Sequence, residues 1–116
     1  MESKDIAEIA AAAASDKQAS DIVIIDISKI LIIADYFVIC SGQTNRQVQT
    51  IAESVVDKLR EQKVRKVGIE GDRLGNWVLL DYGGVVIHVF TQDQREFYSL
   101  ERLWSDAPHH KWEETG

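Results

Sequence analysis

Few residues in this 116-residue chain combine a reactive type with a spacing that could support chemistry. Ser41-Gly42-Gln43-Thr44-Asn45 stands between an apolar run and a helical pattern, where backbone N–H groups can hold a phosphate. It carries one glycine and no lysine after it, so it matches neither a Walker loop nor a G-x-G-x-x-G fingerprint. Its plain reading is a strand-to-helix turn closed by a capping box. Strand-borne carboxylates that grip Mg²⁺ beside a triphosphate need two acids alternating on one face. Asp26 and Asp81 fall on different strands, and the positions two either side of Asp81 are Leu79 and Gly83. His88 lies within an apolar strand without a sequence-adjacent partner, which reads as a hydrogen-bonded structural histidine. Cys40 reads as an inert core thiol, and His109-His110 is a weak metal signal. No nucleophile has a recognisable base, no metal or cofactor is called for, and the chain is expected not to be an enzyme.

The elements that position these residues follow from periodicity. Ile6, Ile9, Ala10 and Ala13 form one stripe of a helix over 5–14. Strands are expected at 21–27, apolar on both faces, and at 36–41. Thr44-Asn45-Arg46-Gln47 opens a helix whose buried side is Val48, Ile51, Ala52, Val55 and Leu59. A third strand is expected at 64–70. The run from Trp77 to Phe90 reads as a hairpin, because Gly83-Gly84 supplies the positive φ angles of a tight turn. A closing helix follows, capped by Thr91 or Asp93, with Phe97, Leu100 and Trp104 buried and Arg95 on its polar side. Pro108 stops it. The fold class is α/β, a five-stranded mixed sheet flanked by helices in the order α-β-β-α-β-β-β-α. Residues 1–108 make one domain, and 109–116 a polar, flexible tail. The apolar segment Ile30–Ile33 has no assigned place beyond packing over a sheet edge or extending a contact surface.

Composition narrows the partners. The net charge is −6, unsuited to direct nucleic-acid binding, which draws on Lys and Arg, and better suited to a basic protein surface. No apolar run reaches the roughly 18–20 residues of a membrane span. The single cysteine and the absence of a secretory signal suit a cytoplasmic protein. Alternation sets Trp77, Leu79 and Asp81 on one hairpin face and Val78, Leu80 and Tyr82 on the other. Both faces are mostly apolar, so the hairpin lies between two layers, or has one face covered by the fold and the other by a partner. Aromatic and aliphatic anchors ringed by charge suit a protein interface. The partner-binding set is Glu70, Trp77, Leu79, Asp81, Tyr82 and His88.

The ordered blocks Asp21–Ile27, Asp35-Tyr36-Phe37-Val38-Ile39-Cys40-Ser41-Gly42, Arg46-Gln47-Val48, Glu70-Gly71, Trp77–Gly83, His88-Val89-Phe90 and Arg95–Trp104 resemble the ribosomal silencing factor, or Iojap, family from about Ile6 to Pro108. The resemblance implies a nucleotidyltransferase-like fold without enzymatic activity. It implies binding to large-subunit ribosomal protein fourteen on the face that meets the small subunit. Joining of the subunits is then blocked sterically, and translation is repressed when nutrients are short. It also implies a possible homodimer. A degenerate nucleotidyltransferase that still binds nucleotide is the alternative. Organellar relatives exist, and the missing transit peptide favours a bacterial protein. Two departures stand out: Ala34 where Ser or Thr is usual, and Gly84 where Asp is common in the hairpin turn.

Overall fold

The computed structural model describes residues 1–112. Helix α1 (Ser3–Asp16) is followed by β1 (Ser20–Asp26), β2 (Tyr36–Gly42), α2 (Asn45–Glu61), β3 (Gly68–Glu70), β4 (Trp77–Asp81) and β5 (Val85–Thr91). Two short helices, α3 (Gln92–Tyr98) and α4 (Leu100–Leu103), and strand β6 (His109–Lys111) complete the chain. The sheet has six strands, not the expected five, in the order β3-β4-β5-β2-β1-β6. All neighbours are antiparallel except β2 and β5, which run parallel at its centre. Their connection runs through α2, β3 and β4. No helix among the described residues is long and apolar enough to cross a membrane.

The extra strand comes from the segment assigned to a flexible tail. Val23, Ile24 and Ile25 of β1 pair with Lys111, His110 and His109. Trp112 anchors the strand's end: its Nε1–H donates to Glu8 on α1 at 3.1 Å, and its backbone N–H to the Ile22 carbonyl at 2.9 Å. Residues 113–116 of the expected tail lie outside the described residues.

One sheet face is sealed by α1 and α2. Val48, Ile51, Val55 and Leu59 of α2, and Ile6, Ala7, Ala10 and Ala14 of α1, pack on Ile24, Val38, Cys40, Val78, Leu80, Ile87 and Val89. The alanines of α1 let it approach α2 closely, and the Ser54 hydroxyl donates to the Ala13 carbonyl at 3.1 Å between them. The expected cap of α2 is present. Thr44 Oγ1 accepts from the Gln47 N–H at 3.0 Å, while Gln47 Oε1 accepts from Gln43 rather than Thr44. The strand-to-helix loop thus uses its polar groups on itself.

The hairpin turn needs less glycine freedom than expected. Gly83 alone has positive φ, 83°. Gly84 is closely approached instead: its carbonyl accepts from Asp35 and Tyr36, and a Cβ there would push the Ser3 hydroxyl at the start of α1 aside. An aspartate in its place would crowd Ser3 and face Asp35.

Candidate functional site

The other sheet face is only partly covered. Ile25, Ile27, Ile39 and Phe90 form a second, smaller core with Ala34 and Ala107, joined by Leu31, Phe37, Trp77, Val86, Leu100 and Trp104. Helix α3 packs against β5 and β2, whereas the helix packed on β4 is α2, on the opposite face. At the β3–β4 end of this second face Tyr98 of α3 meets Trp77, while Glu70 is exposed and Leu79 belongs to neither core cluster.

The closing helix is broken, which the Phe97–Leu100–Trp104 spacing did not show. Ser99 takes a left-handed conformation, φ 46°, and ends α3 before the chain turns again as α4. The break swings Leu100 and Trp104 onto the second core and leaves Phe97 outside, 79% exposed, contrary to its expected burial. Arg95, expected on the solvated side, is 6% exposed. Its Nε donates to Glu101 at 3.0 Å, and Nη1 to the Ser41 hydroxyl at 3.2 Å and the Ser20 carbonyl at 3.3 Å. This buried cation ties α3 and α4 to β1 and β2. An adjacent cleft of about 490 Å³ is lined by Asp21, Gln92, Arg95, Glu96, Glu101 and Lys111 among others, a mixed-charge wall that selects no ligand.

Strand phase decides which predicted residues can meet a partner. Pairing of Glu70 with Leu79, and of Trp77 with Phe90, sets Glu70, Trp77, Leu79 and Asp81 on the second face. Leu79 is partly exposed and belongs to neither core cluster. Glu70 is exposed. Asp81 is half-buried, and its carboxylate accepts from the Gly83 N–H at 2.8 Å, bracing the turn. Tyr82 does not join them. It points into the helix-covered core and is 7% exposed, because it follows Leu80 in the alternation; burial raises its phenol's pKa. His88 shares the second face but is 5% exposed, covered by aromatic neighbours, so it is not a direct contact residue.

Those neighbours form a cluster. Trp77 lies 4.6 Å from Tyr98, 4.8 Å from Phe90 and 6.0 Å from His88, centroid to centroid. Phe37 meets His88 edge-on at 5.0 Å. The Trp77 Nε1–H donates to His88 Nδ1 at 3.2 Å. Tyr98 is 46% exposed, so the cluster opens to solvent through Trp77, Tyr98 and Phe97. Sequence reasoning missed Phe97 and Tyr98, which no signal short of the Ser99 break could have turned outward. Ile32 and Ile33, in the loop before β2, are also open, at 104% and 83%.

The remaining chemistry-bearing residues are engaged locally. Asp26 accepts from the Ser28 hydroxyl at 2.6 Å and its N–H at 3.0 Å, which lowers its pKa. Strands β5 and β2 separate it from Asp81, so the two carboxylates cannot share a metal. Cys40 is buried, and desolvation pushes its thiol up to about 12. No cluster of three or more His, Cys, Asp or Glu side chains converges among the described residues.

The family model described as "Ribosomal silencing factor during starvation" matches residues 1–115. The chain belongs to the ribosomal silencing factor family. It is 47% identical to ribosomal silencing factor RsfS of Bacillus subtilis, over 93% of this chain and 92% of that one. It is 35% identical to the mouse protein named mitochondrial assembly of ribosomal large subunit protein 1, over 77% of this chain and 40% of that one. A crystal structure of a Chromobacterium violaceum protein superimposes with a TM-score of 0.88 at 40% identity, covering 90% of this chain and 88% of that one. Membership in the silencing factor family places the chain among regulators of translation that associate with the ribosome.

Proposed function

We propose that this protein silences ribosomes by docking its second sheet face on the large subunit, at ribosomal protein fourteen, and blocking entry of the small subunit. The observation that carries this reading is the partly covered β3–β4 end of the face. There Leu79 and Trp77 present apolar surface to solvent, with Glu70 and Asp81 on the same side. Apolar anchors supply affinity, and flanking acids select a basic partner and speed encounter. The chain's net charge of −6 acts in the same sense against a basic ribosomal protein. The family description supports a ribosomal partner, and the mouse relative's name supports the large subunit. The protein acts in the cytoplasm, without catalysis, and its nucleotidyltransferase-like character lies in shape alone. A homodimer sealed through the same face would compete with the subunit.

The test is sucrose-gradient sedimentation of separated subunits with and without the protein. Excess protein should leave the subunits apart and migrate with the large one. Leu79→Glu and Trp77→Ala should each weaken this association by about 1–2 kcal/mol or more, an interface-anchor magnitude. Leu79→Glu is the cleaner variant, because Trp77 also packs in the second core. Normal joining of subunits in excess wild-type protein refutes the silencing reading. Unchanged association of a folded Leu79→Glu protein refutes the placement of the face.

A further inference from the structure

Two buried side-chain groups among the described residues lack a hydrogen-bond partner, the Tyr82 hydroxyl in the helix-covered core and His88 Nε2 beneath the second face. His88 sits in the second core among Phe37, Trp77 and Phe90, with the Phe90 ring stacked at 6.0 Å. Its Nδ1 accepts the Trp77 indole N–H, so the neutral ring carries its proton on Nε2. That Nε2 is buried and has no hydrogen-bond partner among the described residues. A buried donor left unpaired is destabilising by about 1–3 kcal/mol. An apolar side chain of similar size would remove that orphan, but would leave the Trp77 indole N–H without its acceptor. What the histidine supplies in return is a single acceptor, aimed at the one core residue that also reaches the partly covered end of the face.

We propose that His88 is a positioning residue that holds the Trp77 indole in its docking orientation. The proposal rests on the docking reading above and adds to it a residue that touches no partner. Trp77 needs such a hold. It is half-buried on β4, and Tyr98, which packs against it, is itself 46% exposed. Stacking alone permits the indole to slide or turn over, whereas the N–H to Nδ1 bond fixes which edge faces inward. An anchor already fixed in its bound rotamer loses less entropy on association.

Two substitutions separate positioning from simple packing. His88→Leu removes the acceptor and the orphaned donor together. His88→Asn sets an amide oxygen close to where Nδ1 was. Large-subunit affinity, the stability of the free protein and the Trp77 indole ¹H–¹⁵N resonance are measured for each. His88→Leu exchanges one unpaired donor for another and so should stay within about twofold of the wild-type folding constant, should shift and broaden the Trp77 indole resonance, and should bind about tenfold more weakly. His88→Asn should restore the resonance and most of the affinity. Unchanged affinity of folded His88→Leu beside a wild type that binds overturns the proposal. So does an indole resonance indifferent to both substitutions. A wild type that binds no subunit refutes the docking reading instead, and the resonance still reports on the hydrogen bond in the free protein.

Discussion

Replacing Arg95 tests whether a buried cation holds the short helices on the sheet. Its guanidinium is enclosed, and it donates to Ser41 Oγ, the Ser20 carbonyl and Glu101. The Glu101 side chain is 37% exposed, so that ion pair is partly screened and contributes under about 1 kcal/mol. The two other bonds are charge-assisted, with gross values of about 1.5–3 kcal/mol each. Their loss is softened because Ser41 and Ser20 still bond to each other at 3.3 Å. Relief of guanidinium desolvation offsets more. Arg95→Met keeps an apolar stem and should lower stability by about 1–2 kcal/mol. Arg95→Ala also empties the space of that stem and should lower it by about 3 kcal/mol. Urea unfolding at neutral pH reads this directly, with a midpoint shift of about 2 M for the alanine variant at an m-value near 1.5 kcal/mol/M. Loosening α3 also withdraws Tyr98 from Trp77, so intrinsic fluorescence should change in the native baseline. An alanine variant within about 0.5 kcal/mol of wild type would show that apolar packing of Leu100 and Trp104 suffices, and that the arginine is dispensable.

Two further outcomes follow from neighbouring groups. His88 titrates at about 4 when folded, lowered from 6.5 by burial, so the unfolded chain takes up its proton first. Its contribution to stability is complete above about pH 6.5 and is lost as pH falls toward 4, by about 2 kcal/mol between pH 7 and 5. Denaturation of wild type against His88→Leu across that range should show the difference, and parallel profiles would contradict it. Gly84→Ala should destabilise by about 1–2 kcal/mol by pushing the Ser3 hydroxyl aside. Ser3→Ala should recover part of that loss, and strict additivity of the two in thermal unfolding would disprove the contact.

Long patterns were legible and short ones were not. The α2 stripe of Val48, Ile51, Val55 and Leu59 marks a helix because one face alone is buried. Alternation also divided the hairpin correctly, with Trp77 and Leu79 opposite Val78 and Leu80. It could not say which face the helices cover, since both are apolar, and so Tyr82 was counted as a contact residue. His109-His110-Lys111 has no strand pattern because an exposed three-residue edge strand asks only for backbone pairing. The break at Ser99 was hidden because Phe97, Leu100 and Trp104 fit an unbroken helix equally well. Burial of Arg95 depends on acceptors on β1 and β2, distant in sequence, and no local rule reveals them.

The parallel pairing of β2 with β5 has a consequence for when this surface comes into being. Tyr36 finds its partner at Val85, after α2, β3 and β4 have been made. Contacts so far apart in sequence form late and require closure of a long loop. The β4–β5 hairpin can pair locally, but it faces two ways until β2 receives it on one edge and α2 covers one side. Which side of the hairpin Trp77 shares with solvent is thus decided by α2 and β2, not by the hairpin itself. A chain whose synthesis has not passed Thr91 lacks β5, and so cannot yet complete the sheet that carries Trp77.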